Sequence, residues 1–163
     1  MLAIPFNISS LMTAKIYLAH RGSWHNKLIE NTIRAFEETR KQLNEKLHGF
    51  ECDLRQLDTN APNSWVIFHD EDMPRLNESQ TIIDPKHPIK NTHTEDHMPR
   101  LIDFCEWLET LTQPIIINIE IKNGTADGIQ YLIQSLKSAN QHNHARIIYS
   151  SFNSEIINEL CHH

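Results

Sequence analysis

The chain has 163 residues, 39% of them hydrophobic, and a formal net charge of -6. That suits one soluble globular domain with enough sequence to bury a core. The acidic balance excludes a general nucleic-acid binder, which needs a basic face to neutralise phosphates, and no apolar run approaches the roughly 18 residues of a membrane helix.

Residues 1–15, "MLAIPFNISSLMTAK", read as a mildly apolar lead-in to a domain spanning 16–163. They lack an early basic cluster, and Asn7, Ser9 and Ser10 interrupt the only stretch resembling a signal core, so a cytoplasmic protein is expected. "KIYLAHRG" reads as a strand ending at Gly22. "ENTIRAFEETRKQL" reads as a helix capped by Asn31 or Thr32, with Ile33, Phe36 and Leu43 inward and a Glu37–Lys41 pair on the outer face. Two strands follow, "GFECDLRQL" and "WVIFHD", and the short linker between them has room only for a loop. Residues 71–97, rich in Asp, Glu, Pro, His and Asn, read as a long irregular surface stretch. Leu101, Phe104, Cys105 and Leu108 have the spacing of a helix face, as do Ile129, Leu132, Ile133 and Leu136. Between those helices lies the strand "PIIINIEIK", and after them the strand "RIIYSSF". "NSEIINELCHH" begins one more helix, capped by Asn153 or Ser154. Strands separated by helices imply right-handed crossovers and a parallel sheet, hence an α/β class.

Cys52, Cys105 and Cys161 are odd in number, widely spaced and on apolar positions, which predicts buried thiols rather than a disulfide framework or a metal site. The histidine pair in "HTEDH", residues 93–97, has its glutamate in the wrong place for a zinc helix. "QHNH" and the terminal "HH" read as solvated.

The chemistry concentrates on strand faces. On one side of "GFECDLRQL" stand Phe50, Cys52 and Leu54, and on the other Glu51, Asp53 and Arg55. In "NIEIK", Asn118, Glu120 and Lys122 oppose Ile117, Ile119 and Ile121. Two strands therefore send carboxylates to the same side of the sheet. Buried carboxylates must be neutralised by bases, by protonation or by a cation. Three of them converging suit a hard divalent ion, which prefers oxygen ligands. The plainer alternative is two solvated pairs, Glu51 with Arg55 and Glu120 with Lys122. His20 and His69 each end a strand, where parallel α/β sheets bind ligands, and two imidazoles there can act as an acid and base pair. For a single strand-end histidine the plainer reading is a hydrogen bond to a loop carbonyl. Arg21 beside His20, and the carboxylates between the histidines, favour catalysis.

In order, "AHRG", "ENTIRAF", "FECDLRQL", "VIFHDEDMPRL", "IEIK" and "SSF" resemble the glycerophosphodiester phosphodiesterases from Ile16 to Phe152. The resemblance implies a TIM-type (β/α) barrel, a divalent cation, magnesium or calcium, and cleavage of a small-molecule glycerophosphodiester to glycerol 3-phosphate and an alcohol. It makes Glu51, Asp53 and Glu120 the metal ligands, His20 and His69 the acid–base pair, and Arg21 and Lys122 the phosphate grip. The chain has Ile29 where the family usually has proline before "ENT", a change of loop stiffness. Such barrels take about 250 residues, and "SSF" ends what counts as the fifth of eight strands. An incomplete barrel is therefore expected, with exposed strand edges that invite a second chain and a homodimer. A catalytically silent remnant that binds metal, phosphate or a partner is the competing expectation. A phosphodiesterase of similar fold acting on a lysophospholipid head group ranks below the glycerophosphodiesterase reading, because no membrane-binding helix is evident.

Overall fold

The computed structural model describes residues 15–23, 29–69 and 98–162. The lead-in up to residue 14, the irregular stretch at 71–97, "HTEDH" and the Asp70 end of "WVIFHD" lie outside the described residues.

In chain order the elements are β1 (Leu18–His20), α1 (Ile33–Lys41), β2 (Gly49–Gln56), β3 (Trp65–Ile67), α2 (Leu101–Glu109), β4 (Ile115–Ile121), α3 (Ala126–Ala139), β5 (Ala145–Ser150) and α4 (Ser154–Leu160). β1, β2, β4 and β5 pair in that order, all parallel, with helices in the crossovers. β3 leaves this path and pairs antiparallel with β2, Ile67 opposite Leu54 and Trp65 opposite Gln56. The eight residues between β2 and β3 are too few for a crossover, so the chain turns back as a hairpin. Among the described residues five strands are present, as expected, but four form the parallel wall. That wall is an open sheet, and β1 and β5 are its edges.

Local chemistry sets the helix starts. Thr32, with extended backbone, accepts from the Ala35 N–H and caps α1, and Thr125 does the same for α3 through the Gly128 N–H. β1 stops at His20 because Arg21 (φ 58) and Gly22 (φ 80) turn the chain through the left-handed region.

Among the described residues, the helices cover one face of the sheet and share one apolar core with it. Ile115, Ile117, Ile119 and Ile121 alternate inward on β4 and are essentially inaccessible. Each such side chain contributes roughly 1.5–3 kcal/mol on burial. Phe36 stacks on Phe50 at 4.2 Å between ring centroids, and Phe104 and Trp107 complete an aromatic cluster linking α1, α2 and β2. The opposite face of the wall carries Glu51, Asp53, Asn118 and Glu120.

Three expectations are corrected in detail. Glu37 pairs with Arg40, not Lys41: Arg40 Nε and Nη2 both reach its carboxylate, at 2.8 and 2.6 Å. A forked guanidinium outcompetes a point-charge ammonium for a carboxylate. Glu37 also accepts from Trp107 Nε1 at 3.3 Å, so it lies in the α1–α2 seam rather than on the outer face. Cys52 and Cys105 are buried, but Cys161 is exposed, because it is the C-cap of a short helix whose buried residue is Ile156. Among the described residues, no helix is long and apolar enough to cross a membrane.

Candidate active site

Sheet register brings the carboxylates together. His20 stands opposite Glu51 and Glu51 opposite Asn118, while Asp53 stands opposite Glu120 and Glu120 opposite Ser150. Alternation puts Glu51 and Asp53 on one face, roughly 7 Å apart along the strand, and Glu120 beside Asp53. One carboxylate oxygen from each of Glu51, Asp53 and Glu120 falls within 4.8 Å of the other two. A divalent ion with oxygen ligands at roughly 2.0–2.6 Å fits a shell of that size.

Two basic side chains converge on the same point. Lys122 Nζ sits 2.9 Å from Asp53 Oδ1 and also pairs with Glu120. The Lys122 N–H donates to the Leu54 carbonyl at 2.9 Å, so the end of β4 stays registered with β2. Arg21 Nε lies 3.3 Å from Asp53 Oδ2, an ion pair without hydrogen-bond alignment, and Arg21 Nη1 donates to Glu30 at 2.8 Å. The left-handed turn at Arg21 aims its main-chain N–H at Glu51 Oε2, 3.0 Å away. His20 is largely exposed, its Nε2 3.8 Å from the same oxygen.

The plainer pairings are half realised. Glu120 does pair with Lys122, but that ammonium is shared with the buried Asp53, so it is no solvated edge contact. Arg55 donates to the His69 carbonyl at 3.0 Å. His69 follows the end of β3, and this contact ties its main chain to β2, since the antiparallel β3 runs back along β2 until the Phe68 N–H meets the Asp53 carbonyl. It is therefore not at the carboxyl end of a parallel strand, the position expected from the sequence.

Electrostatics marks the pocket. Burial, and then the neighbouring Asp53 charge, push the Glu51 carboxyl up to about 7, against the Arg21 N–H that favours its ionised form. Burial pulls the Lys122 ammonium down, but the hydrogen bonds and charges of Glu120 and Asp53 outweigh it, and the net direction is up. Glu51 Oε1 is buried without a hydrogen-bond partner, and Asp53 Oδ1, equally buried, faces the Lys122 ammonium at 2.9 Å. An orphaned acceptor in such a place costs free energy until a proton or cation satisfies it. The donor set, three carboxylates with one open oxygen and one held only by Lys122, thus fits a hard divalent ion.

Sequence reasoning missed two residues. Asn31 is the residue before the α1 cap, not the cap, and its amide holds both the side chain and the N–H of Asp53. Glu30 anchors the Arg21 guanidinium. A helix needs one cap, so the second polar residue ahead of it was the available signal.

No family model matches the chain, and no curated protein matches it. Among solved structures it is similar to a glycerophosphodiester phosphodiesterase from Parabacteroides distasonis, with a TM-score of 0.66 and 22% sequence identity. The two chains share a fold. The alignment covers 89% of this chain and 59% of that protein, in keeping with an incomplete barrel.

Proposed function

We propose that this chain is a divalent-cation-dependent phosphodiesterase domain acting on glycerophosphodiesters. The observation that carries the reading is the convergence of Glu51, Asp53 and Glu120 with Lys122 on one pocket. The likeness of fold to a glycerophosphodiester phosphodiesterase supports it. Glu51, Asp53 and Glu120 would hold the cation, magnesium or calcium, whose chemistry is to neutralise charge gathering on the non-bridging phosphate oxygens. Arg21 and Lys122 bind those oxygens. His20 and His69 divide the proton work: one imidazole takes the proton of the attacking water or substrate hydroxyl as the new P–O bond forms. The other protonates the departing alcohol as the old P–O bond breaks. Hydrolysis of glycerophosphocholine, or of a chromogenic phosphodiester, with magnesium or calcium tests this. Turnover that is lost in His20→Ala and Glu51→Ala, both still folded, is expected. No turnover by the wild-type chain overturns it.

The extent of the likeness favours a second reading. Since the chain spans 59% of its structural neighbour and its sheet is open, a silent domain that binds a cation or phosphate would keep the pocket and lose the chemistry. Cation binding in calorimetry without turnover distinguishes it. The proposal also includes a cytoplasmic setting, a domain spanning 16–163, and a second copy over the exposed edges of β1 and β5, which gel filtration checks.

A further inference from the structure

We infer that Asn31 is a positioning residue that decides which oxygen of Asp53 faces the cation pocket. Asn31 is 3% exposed and held in the left-handed region, φ 56, which asparagine tolerates better than most residues. Its own N–H is fixed by the Arg21 carbonyl at 2.9 Å. From that seat its side chain closes a reciprocal pair with Asp53. Nδ2 donates to Asp53 Oδ2 at 2.8 Å, and Oδ1 accepts from the Asp53 N–H at 3.2 Å. The sheet explains why a side chain does this. β1 ends opposite Glu51, so the Asp53 N–H on that edge has no strand to bond to, and the Asn31 amide replaces the missing rung. With Oδ2 occupied by Asn31 and approached by Arg21 Nε, the carboxylate cannot rotate freely. Oδ1 is left facing Lys122 and the pocket. Groups that orient a ligand from behind typically matter by about 10- to 100-fold in metal affinity or activity.

This inference rests on the cation reading of the pocket. The test is calorimetric titration of the full chain with calcium chloride or magnesium chloride, comparing wild type, Asn31→Gly and Thr32→Ala, each with a thermal melt. Glycine accepts the left-handed backbone and removes only the amide, so Asn31→Gly retains the turn. Thr32→Ala removes the neighbouring α1 cap, which accepts from the Ala35 N–H, and reports the effect of loosening this segment. The expected result is a fall of about 10- to 100-fold in cation affinity for Asn31→Gly. Thr32→Ala should melt lower and bind the cation like wild type. A folded Asn31→Gly chain that binds like wild type overturns the positioning role alone. So does an equal loss of affinity in both variants, which would assign the effect to segment stability. Should Asn31→Gly fail to fold, Asn31→Asp replaces it. That change keeps the turn and the acceptor for the Asp53 N–H but sets a carboxylate against Oδ2, and an affinity equal to wild type overturns the role. Wild-type chain that binds neither cation overturns the cation reading, and this inference with it.

Discussion

Removing the charge of Glu51 should make the cation-free protein more stable at alkaline pH, although it removes a proposed cation ligand. The Glu51 carboxyl has an ordinary value of 4.5 and is pushed up to about 7, chiefly by burial and then by Asp53. Between those pH values the unfolded chain has released its proton while the folded chain keeps it. The contribution to stability is therefore fully present below pH 4.5 and is lost as pH rises to about 7. The interval is worth at most about 3.5 kcal/mol, at roughly 1.4 kcal/mol per tenfold change in proton affinity. The Glu51 side chain retains 12% exposure, and solvent screening brings the figure to about 2 kcal/mol. Glu51→Gln is isosteric, can still accept from the Arg21 N–H, and does not titrate. In urea unfolding with a chelator at pH 4.5 and pH 8, the stability of the variant relative to wild type should rise by about 2 kcal/mol between the two conditions. Taking the difference cancels histidines and other carboxylates that titrate in both proteins. A relative stability unchanged with pH, or one that falls, would refute the electrostatic account of the pocket.

Gly49 is buried at the start of β2, where a Cβ would fall on the Ile116 carbonyl oxygen and 2.6 Å from its carbon. Gly49→Ala must open the β2–β4 pairing and should cost at least about 3 kcal/mol in urea unfolding; a loss under about 1 kcal/mol would contradict the packing described. In native protein an aromatic disulfide reagent should label Cys161 quickly and leave Cys52 and Cys105 until denaturant is added, since both are buried and burial holds their thiols protonated. Rapid labelling of two or more thiols would contradict the fold.

Features governed by neighbours in the chain were legible from sequence. The helical spacing of Ile129, Leu132, Ile133 and Leu136 does mark the buried face of α3, and the alternation of "IIINIEI" is the burial pattern of β4. The carboxylate faces of β2 and β4 followed from the same alternation, and the register then set them side by side. What escaped depends on partners distant in sequence. The linker length showed that no helix separates β2 from β3, yet the direction of β3 is fixed by its pairing along Leu54–Gln56. Asn31 and Thr32 are equivalent as caps in sequence, and only the end of β1 beside Asp53 assigns the asparagine elsewhere. Ile148, apolar like its neighbours in β5, stands opposite Asn118 on the side of the sheet without helices and is 39% exposed.

The central claim is that three carboxylates from two strands share one cation. A crystal soaked in manganese, a divalent stand-in with detectable anomalous scattering, tests it most directly. One peak within about 2.6 Å of an oxygen from each of Glu51, Asp53 and Glu120 is the predicted result. No peak there, with Lys122 still seated between Asp53 and Glu120 at saturating manganese, would contradict it.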